Sequence, residues 1–300
     1  MTIVYRPAQT QDLERADALV VGSINDLTAR HGFGAIASPH PPHFQMFSLR
    51  DDPAGLWVAE DNNDIVGFAW SWVCGDLWFL AQLFVSPDRQ GAGIGDELIR
   101  RTAAHAQAAG ATRRALITFS FNTVSQGLYI RHGLLPGFPI YMMSVARDRL
   151  MGRLQGDQPV CVPLEQTDAQ MRALAEIDIA ALGVSREKHH RFLMSDSATR
   201  GVTLHDGDRC LGYAYVSASG HIGPLAVTKP ESLGPAFRAA LNLALEGGSP
   251  QVSAFIPGTA DACLQIATES RMRITLPMVL MATRNVGDWA QYMPRNPGFM

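Results

Sequence analysis

Apolar positions recur along this chain with two spacings, and each spacing indicates a type of element. Gln11–Thr28 carries apolar residues at helical intervals, which is typical of an amphipathic helix. Three apolar segments then follow with only short turns between them, namely Leu56–Glu60, Ile65–Cys74 and Leu77–Ser86. Such closely spaced segments predict an antiparallel meander.

A glycine-dense stretch after the meander leads into further elements. The apolar spacing predicts a helix, a strand, a second helix and a last strand, at about 92–109, 114–120, 123–132 and 140–147. Helices that alternate with strands in this way pack against a sheet. The first half of the chain therefore reads as an α+β domain with a mixed, mostly antiparallel sheet flanked by helices.

The second half of the chain repeats this order of elements. Gly212-Tyr-Ala-Tyr215 corresponds to Gly67-Phe-Ala-Trp70, and similar strands and helices follow it. A charged stretch with glycine and proline, Arg147–Pro159, interrupts the pattern between the copies. A duplicated fold explains both observations. We therefore predict domains at 1–148 and 159–300, joined by a linker at 149–158.

Composition and charge limit the classes of partner. The 300 residues suit two domains, and the 47% of hydrophobic residues suits packed cores. The formal net charge of −3 leaves no basic surplus for nucleic acid or anionic lipid, so we expect neither as a partner. No apolar run approaches the ~20 residues that span a bilayer, and no secretory signal is evident, so we expect a cytoplasmic protein. A homodimer is left open.

Cysteine and histidine spacing argues against a metal site. The four cysteines are widely scattered and form no CxxC pair, which favours reduced thiols in the core. His40 and His43, in a proline-rich loop, and the pair His189-His190 have no cysteine or carboxylate at ligand spacing. We therefore expect no metal.

The segment that carries chemistry follows the third strand of the meander. Here a Pro87 turn leads into the glycine loop Gln90-Gly-Ala-Gly-Ile-Gly95, which opens directly into a helix. The first N–H groups of a helix have no intrahelical partner, and glycines let an anion approach them. A dinucleotide fingerprint fails because Asp96 stands at its last glycine position, and a P-loop fails because no lysine is present. A plain turn-forming loop remains the alternative.

Two segments resemble the GNAT superfamily of N-acetyltransferases. Gln90, Gly93 and Gly95 match its Q/R-x-x-G-x-G/A motif, and Asn122–Gly133 is similar to its N-x-x-A-x-x-L-Y-x-x-x-G-F helix. That helix departs from the pattern in two places, because Ser125 replaces the usual alanine and Leu134 replaces the aromatic residue. The resemblance covers about residues 3–147 and implies an acyl-CoA-dependent N-acetyltransferase with tandem GNAT-like domains.

The resemblance also implies the roles of individual residues. The cosubstrate would be acetyl-CoA, with its pyrophosphate on the backbone N–H groups of Gln90, Gly91, Ala92, Gly93, Ile94 and Gly95. Pantetheine would run along Leu83, Phe84 and Val85 and bond to Asn122. Tyr129 would protonate the departing thiolate, and the Leu83 N–H would stabilise the developing oxyanion, as direct attack by an amine on a thioester requires. For Tyr129, ordinary helix packing is the alternative.

The general base is where this chain departs from the family. Many relatives carry a glutamate on the strand before the glycine loop, where this chain has Gln82. Glu60 and Asp76 are the nearest carboxylates in sequence, although solvated hairpin ends explain both. The base is therefore unassigned, and Gln82 is a candidate for lining the acceptor site by hydrogen bonding.

Aromatic residues on the meander are the candidates for the acceptor side. Phe68, Trp70 and Trp72 share one face of a strand, and Trp78 on the next strand is expected to join them. Core packing under a helix is the alternative for all four. We list Trp70 and Trp72, with Gln82, as candidate substrate residues.

The second copy lacks the glycine loop. Its corresponding stretch, Thr228–Pro235, has a single glycine, so we expect it not to bind CoA. The predicted function is acetyl transfer from acetyl-CoA to a primary amine of a small molecule. Two alternatives stay open: a protein N-acetyltransferase and a non-catalytic acyl-CoA-binding module.

Overall fold

The predicted helices and strands of the first half are present in a computed structural model, which describes residues 3–283 and 286–300. The elements of this half are, in chain order, β1 (Val4–Pro7), α1 (Leu13–Arg30), α2 (His43–Asp51), β2 (Leu56–Asp61), β3 (Asp64–Cys74), β4 (Leu77–Val85), α3 (Ile94–Ala108), β5 (Arg113–Phe119), α4 (Thr123–Arg131), β6 (Leu135–Ala146) and α5 (Arg147–Leu150).

The second half repeats the succession of a meander followed by alternating helices and strands. Its elements are β7 (Val160–Pro163), α6 (Asp168–Leu182), α7 (Glu187–Ser195), β8 (Thr199–Asp206), β9 (Arg209–Ser217), β10 (His221–Val227), α8 (Leu233–Glu246), β11 (Gln251–Pro257), α9 (Asp261–Glu269), β12 (Arg273–Ala282) and β13 (Tyr292–Met293).

The chain divides into two compact units that are not consecutive in sequence. The first consists of the described residues up to Ile117, of Phe121–Leu135 and of a short segment that begins at Met281. The second consists of Thr118–Ser120, Pro136–Leu280 and the C-terminal residues. Nearly all of β6 therefore lies in the second unit. The boundaries 1–148, 149–158 and 159–300 stay a prediction about the order of the two copies along the chain.

The sheet of the first unit has the strand order β1-β2-β3-β4-β5. β1 to β4 are antiparallel, and β5 runs parallel to β4. Tight turns set this arrangement: Asn62 and Asn63 adopt positive φ of 50° and 70° between β2 and β3, as a two-residue hairpin turn requires. The mixed, mostly antiparallel sheet is confirmed.

Helices cover both faces of β3 and β4. On one face, a Cβ added at Gly67 would lie 2.9 Å from side-chain atoms of Ile94 and Leu98, so α3 packs directly on the sheet there. On the other face, the Phe44 ring of α2 meets Trp70 edge-on at 4.8 Å. We call these the α3 face and the α2 face.

The second unit has a sheet of the same kind. Its strand order is β12-β6-β11-β10-β9-β8-β7, with β13 beside β10. β7 to β10 are antiparallel, while β10 and β11 are parallel, as β4 and β5 are in the first unit. Apolar residues of these strands and of α8 and α9 form a continuous core.

A buried polar network lies outside that apolar core. Asp178 on α6 is fully buried and accepts hydrogen bonds from Arg186 Nη2 at 3.1 Å and from Tyr213 Oη at 2.6 Å. His190 Nε2 lies 3.0 Å from the same carboxylate, and His190 Nδ1 lies 2.9 Å from Tyr215 Oη. Burial alone would raise the pKa of Asp178, but the charges of Arg186 and His190 outweigh it and hold the pKa well below its usual value.

None of the helices within 3–283 and 286–300 is both long and apolar enough to cross a membrane.

Candidate functional site

β4 and β5 separate part-way along their length. They pair in parallel only from Leu77 opposite Arg113 to Leu80 opposite Leu116, although β4 continues to Val85. The register between β3 and β4 shifts at the same point, with Ser71 opposite Leu80 but Trp70 opposite Gln82. Ala81 is therefore the extra residue of a β-bulge. Beyond this bulge, one edge of β4 faces a gap.

The register identifies which backbone groups face this gap. The Ser86 N–H donates to the Val66 carbonyl at 2.9 Å, and hydrogen-bonded pairs alternate along an antiparallel ladder. Phe84 and Gln82 therefore bond to β3, whereas the N–H and C=O of Leu83 point away from it. The Val85 carbonyl points the same way and accepts a bond from Gln90 Nε2 at 3.1 Å. Leu83 thus presents an N–H to the gap, and Phe84 does not.

The glycine loop lies directly beyond β4 and is exposed from Gln90 to Gly93. Gly91 and Gly93 have φ of +83° and +82°, a conformation that residues with a Cβ rarely adopt. The first intrahelical bond of α3 runs from the Glu97 N–H to the Gly93 carbonyl. The N–H groups of Ile94, Gly95 and Asp96 precede it, and among the described residues no side chain caps them. The loop and helix start can therefore receive an anion.

Ion pairs neutralise the carboxylates in the first turn of α3. Asp96 lies 3.0 Å from His132 Nε2 and 3.7 Å from Arg100 Nε. Glu97 lies 2.8 Å from Arg101 Nε and also forms an ion pair with Arg100. The two arginines offset the negative charges that would otherwise repel an anion at the helix N-terminus.

The glycine at position 95 has a packing role. A Cβ there would lie 3.3 Å from Leu128 Cδ2 on α4 and 3.8 Å from Val85 Cγ2 on β4. The absence of a side chain thus brings α4 close to α3, next to the end of β4. The Ile94 side chain is buried against the sheet, so only its backbone N–H can serve a ligand.

Tyr129 is buried on α4, directly after Leu128. Burial raises the pKa of its phenol, and a side-chain hydrogen bond with Ser125 opposes that shift. Asn122 caps the same helix, because its Oδ1 accepts a bond from the Ser125 N–H at 3.2 Å. The cap uses Oδ1 and not Nδ2. The serine at the usual alanine position is thus bonded to Tyr129.

Comparisons with known proteins identify the family of one segment of the chain. The sequence profile of the acetyltransferase (GNAT) family matches residues 23–134. This segment belongs to the GNAT family. The match spans the glycine loop and all of the α4 segment, so the resemblance drawn from those motifs is confirmed. No curated protein matches the sequence at a significant level.

Solved structures extend the likeness to the whole chain. A Pyrococcus horikoshii protein described as an acetyltransferase superposes with a TM-score of 0.77 at 18% identity, covering 99% of this chain and 96% of that one. A GCN5-related N-acetyltransferase from Sphaerobacter thermophilus gives 0.63 at 15% identity, covering 95% and 96%. A tandem GNAT protein from the clavulanic acid biosynthesis pathway gives 0.58 at 16% identity, covering 94% and 98%. The chain therefore carries a tandem GNAT fold.

The two carboxylates considered as bases in this GNAT domain are engaged elsewhere. Arg6 binds Glu60 at 2.8 Å, and this hydrogen bond lowers the pKa of the carboxyl. Arg113 binds Asp76 in the turn between β3 and β4, which lowers the pKa of that carboxyl too. Asp76 also lies at the opposite end of β4 from the gap. Both are therefore unsuited to accept a proton from an amine.

The aromatic residues divide between the two faces of the GNAT sheet. Trp72 stacks on Phe79 at 4.9 Å, opposite it in the register, and both lie on the α2 face with Trp70. The expectation that Trp78 joins them is wrong, because it pairs with Val73 and lies on the α3 face. Trp70 and Trp72 are almost completely buried, so both also belong to the core.

The helix start of the second copy differs from that of the first. Residues 228–232 contain no glycine, and Pro230–Ser232 forms a short turn directly before α8. Gly234, the second residue of α8, keeps the packing role of Gly95, because a Cβ there would lie 3.1 Å from Ala262 Cβ on α9. The copy thus retains the helix–helix contact without the glycine loop.

Within the described residues, no group of three or more His, Cys, Asp or Glu side chains is placed to hold a metal ion.

Proposed function

We propose that this protein transfers the acetyl group of acetyl-CoA to a primary amine of a small molecule by direct attack. One observation carries the proposal. The bulge at Ala81 leaves the Leu83 N–H facing a gap that opens beside an uncapped, glycine-started helix. An N–H donor at that point suits a thioester carbonyl, and the helix start suits a pyrophosphate.

The chain's own residues fit acetyl-CoA. The N–H groups of Gln90–Gly95 would hold the pyrophosphate, since the loop is exposed and its positive-φ glycines keep Cβ atoms out of the way. The backbone edges of Leu83 and Val85, with Asn122 Nδ2, would hold pantetheine. When bound, acetyl-CoA supplies an acetyl thioester whose carbonyl carbon accepts the amine.

Two groups of the chain then act on the reacting atoms. The Leu83 N–H donates to the carbonyl oxygen as negative charge develops there. Tyr129 donates its phenolic hydrogen to the sulfur as the C–S bond breaks, and it takes a proton back from solvent, which balances the proton that the amine releases. Burial raises the pKa of Tyr129 and keeps the phenol protonated, while the Ser125 hydroxyl eases release of the proton. With Gln82 in place of a carboxylate, the amine loses its proton to solvent.

A non-catalytic acyl-CoA-binding module is the second candidate. It is favoured by Gln82, which cannot accept a proton at neutral pH, and by the ion pairs that hold Glu60 and Asp76. This candidate shares the binding of acetyl-CoA and differs only in turnover.

The glycine loop is tested by Gly93→Val, with Gly110→Val as its matched control. Both positions have positive φ, +82° and +71°, and a Cβ at either would meet nothing within 4 Å. The two variants therefore carry the same backbone strain. We expect stabilisation of the parent by acetyl-CoA in a thermal shift assay, retention of this shift in Gly110→Val and its loss in Gly93→Val. Equal binding by both variants would show that the loop does not hold the cosubstrate.

Turnover is tested by thiol release from acetyl-CoA against a panel of primary amines. Activity that falls in Tyr129→Phe supports transfer. Binding of acetyl-CoA without thiol release on any amine would instead support the non-catalytic module.

A further inference from the structure

Trp70 and Gln82 face each other across the two strands that precede the gap. The register places them directly opposite on β3 and β4, so both side chains lie on the α2 face. Cβ atoms of such a pair are about 4.5–5.5 Å apart. Trp70 is 2% exposed, and the Phe44 ring packs edge-on against it. The two side chains therefore share one enclosed position.

Each of these side chains carries a buried polar atom without a partner. Trp70 Nε1 and Gln82 Oε1 have no hydrogen-bond partner among the described residues, and they do not bond to each other. Native proteins leave few buried polar atoms unpaired. The indole N–H can only donate and the amide oxygen can only accept, so the pair matches one group that accepts from the first and donates to the second.

Trp70 and Gln82 lie next to the place where the acceptor amine would react. Gln82 directly precedes Leu83, whose N–H faces the gap, and its Oε1 lies on the opposite side of the sheet from α3. The pair therefore lies on the α2 side of the sheet, beside the residue whose N–H faces the gap.

We propose that Trp70 Nε1 and Gln82 Oε1 bind a hydroxyl group that neighbours the reactive amine, so that the preferred acceptors are amino alcohols that carry no charged group besides the amine. The proposal rests on the acetyl transfer proposed above. A hydroxyl donates and accepts through one oxygen, whereas a carboxylate would be repelled by Gln82 Oε1 and an ammonium would leave the indole N–H unpaired. The reactive amine itself does not serve, because its lone pair must point at the thioester carbon. The aromatic surroundings also disfavour a charged group.

The experiment compares acceptors that differ only in this hydroxyl. Thiol release by the full chain would be measured with 2-aminoethanol against n-propylamine, and with 3-amino-1-propanol against n-butylamine. We expect kcat/KM, calculated for the unprotonated amine so that differences in basicity cancel, to favour the amino alcohol by roughly tenfold or more in at least one pair. Glycine, which carries a carboxylate, should be the poorer substrate. Equal kcat/KM within both pairs, or a preference for glycine, would overturn the proposal.

Two variants with a matched control assign the preference to this pair. Trp70→Phe removes the N–H and Gln82→Met removes the amide oxygen, and each should reduce the amino-alcohol preference to near unity. Trp78→Phe is the control, since Trp78 Nε1 is also buried without a partner but lies on the α3 face. It should leave the preference unchanged. A preference that survives both Trp70→Phe and Gln82→Met would overturn the proposal.

A binding measurement separates this proposal from the function on which it rests. If no amine is acetylated although acetyl-CoA binds, the proposed transfer fails. Calorimetric titration of 2-aminoethanol and n-propylamine into the complex with CoA then decides the site. Tighter binding of 2-aminoethanol that is lost in Trp70→Phe supports the hydroxyl site, and equal or undetectable binding of both amines overturns it.

Discussion

Asp178→Asn should destabilise the second unit strongly. The substitution keeps the size of the side chain but removes the charge that balances Arg186, which is itself 1% exposed. Asp178 accepts from the backbone N–H of Arg186 at 3.1 Å and from its guanidinium, and further bonds come from Tyr213 and His190. The asparagine would leave a buried cation uncompensated and would turn an amide donor toward other donors.

The size of the effect follows from this burial. Breaking a buried ion pair by removing one partner costs about 3–5 kcal/mol. For a unit of about 150–250 residues, each kcal/mol lowers the melting temperature by about 2–4 °C. We therefore expect a decrease of roughly 6–20 °C in the transition of the second unit.

Differential scanning calorimetry at pH 7 measures this transition, and Glu187→Gln is the matched control. Glu187 pairs with Arg191 on α7, but both side chains are about half exposed. Exposed helical pairs contribute about 0.3–0.5 kcal/mol, so the control should melt within about 2 °C of the parent. An Asp178→Asn variant that melts as the control does would refute the reasoning.

The pH dependence gives a second check. The folded-state pKa of Asp178 lies below the value of about 3.9 for an unfolded aspartate, so its stabilisation is fully present above that value. The stabilisation is lost as the pH falls further through the folded-state pKa. The gap in melting temperature between parent and Asp178→Asn should thus be constant near neutrality and shrink below about pH 4. A gap that widens in acid would contradict this assignment.

Three further predictions concern the first unit. Tyr129→Phe should lower kcat roughly 10²–10⁴-fold in the thiol-release assay without loss of acetyl-CoA binding. Ser125→Ala should lower kcat by about tenfold, because it removes the hydrogen bond that opposes the raised pKa of Tyr129. If kcat is unchanged in both variants, Tyr129 has no part in the mechanism. Gly22→Ala, inside α1 with nothing within 4 Å, should stabilise the unit by about 1 kcal/mol in denaturant unfolding. Gly95→Ala should leave the unit about 1–3 kcal/mol less stable than Gly22→Ala does, because its Cβ would crowd Leu128 on α4. Asp76→Asn should leave the pH profile of kcat/KM unchanged, because its carboxylate is bound to Arg113; a lost acidic limb would make Asp76 the base.

Local signals in the sequence predicted the meander and the helix start. The turn at Asn62-Asn63 and the glycines at 91 and 93 have positive φ, which few residue types adopt. These residue types therefore indicate where the chain turns. The face of Trp78 was also open to prediction. A two-residue turn at Gly75-Asp76 pairs Cys74 with Leu77 and therefore places Trp78 opposite Val73.

The position of Gln82 was not open to prediction in the same way. Without the bulge, the register from the Gly75-Asp76 turn would place Ala81 opposite Trp70, and Gln82 would point to the α3 face. One extra residue in β4 reverses this and brings Gln82 beside Trp70. A β-bulge inside an apolar strand has no clear signal in a single sequence, since Ala81 is an ordinary strand residue.

Contacts between distant segments were also beyond the reach of the sequence. The membership of β6 in the second unit depends on its pairing with β11, from Gln251 opposite Ala146 to Pro257 opposite Ile140. The network around Asp178 joins α6, α7 and β9, whose residues are far apart in sequence. Neither feature is encoded within a short window of sequence.

The glycines at the second position of α3 and α8 make the two copies a comparison within one molecule. Gly95 and Gly234 both allow a neighbouring helix to approach, whereas Gly91 and Gly93 have no counterpart directly before α8. A glycine that both copies have at equivalent positions thus indicates a requirement of helix packing. A glycine that only one copy has indicates a requirement of ligand binding. Comparison of the two copies within one protein can therefore separate the motif glycines that helix packing requires from those that ligand binding requires.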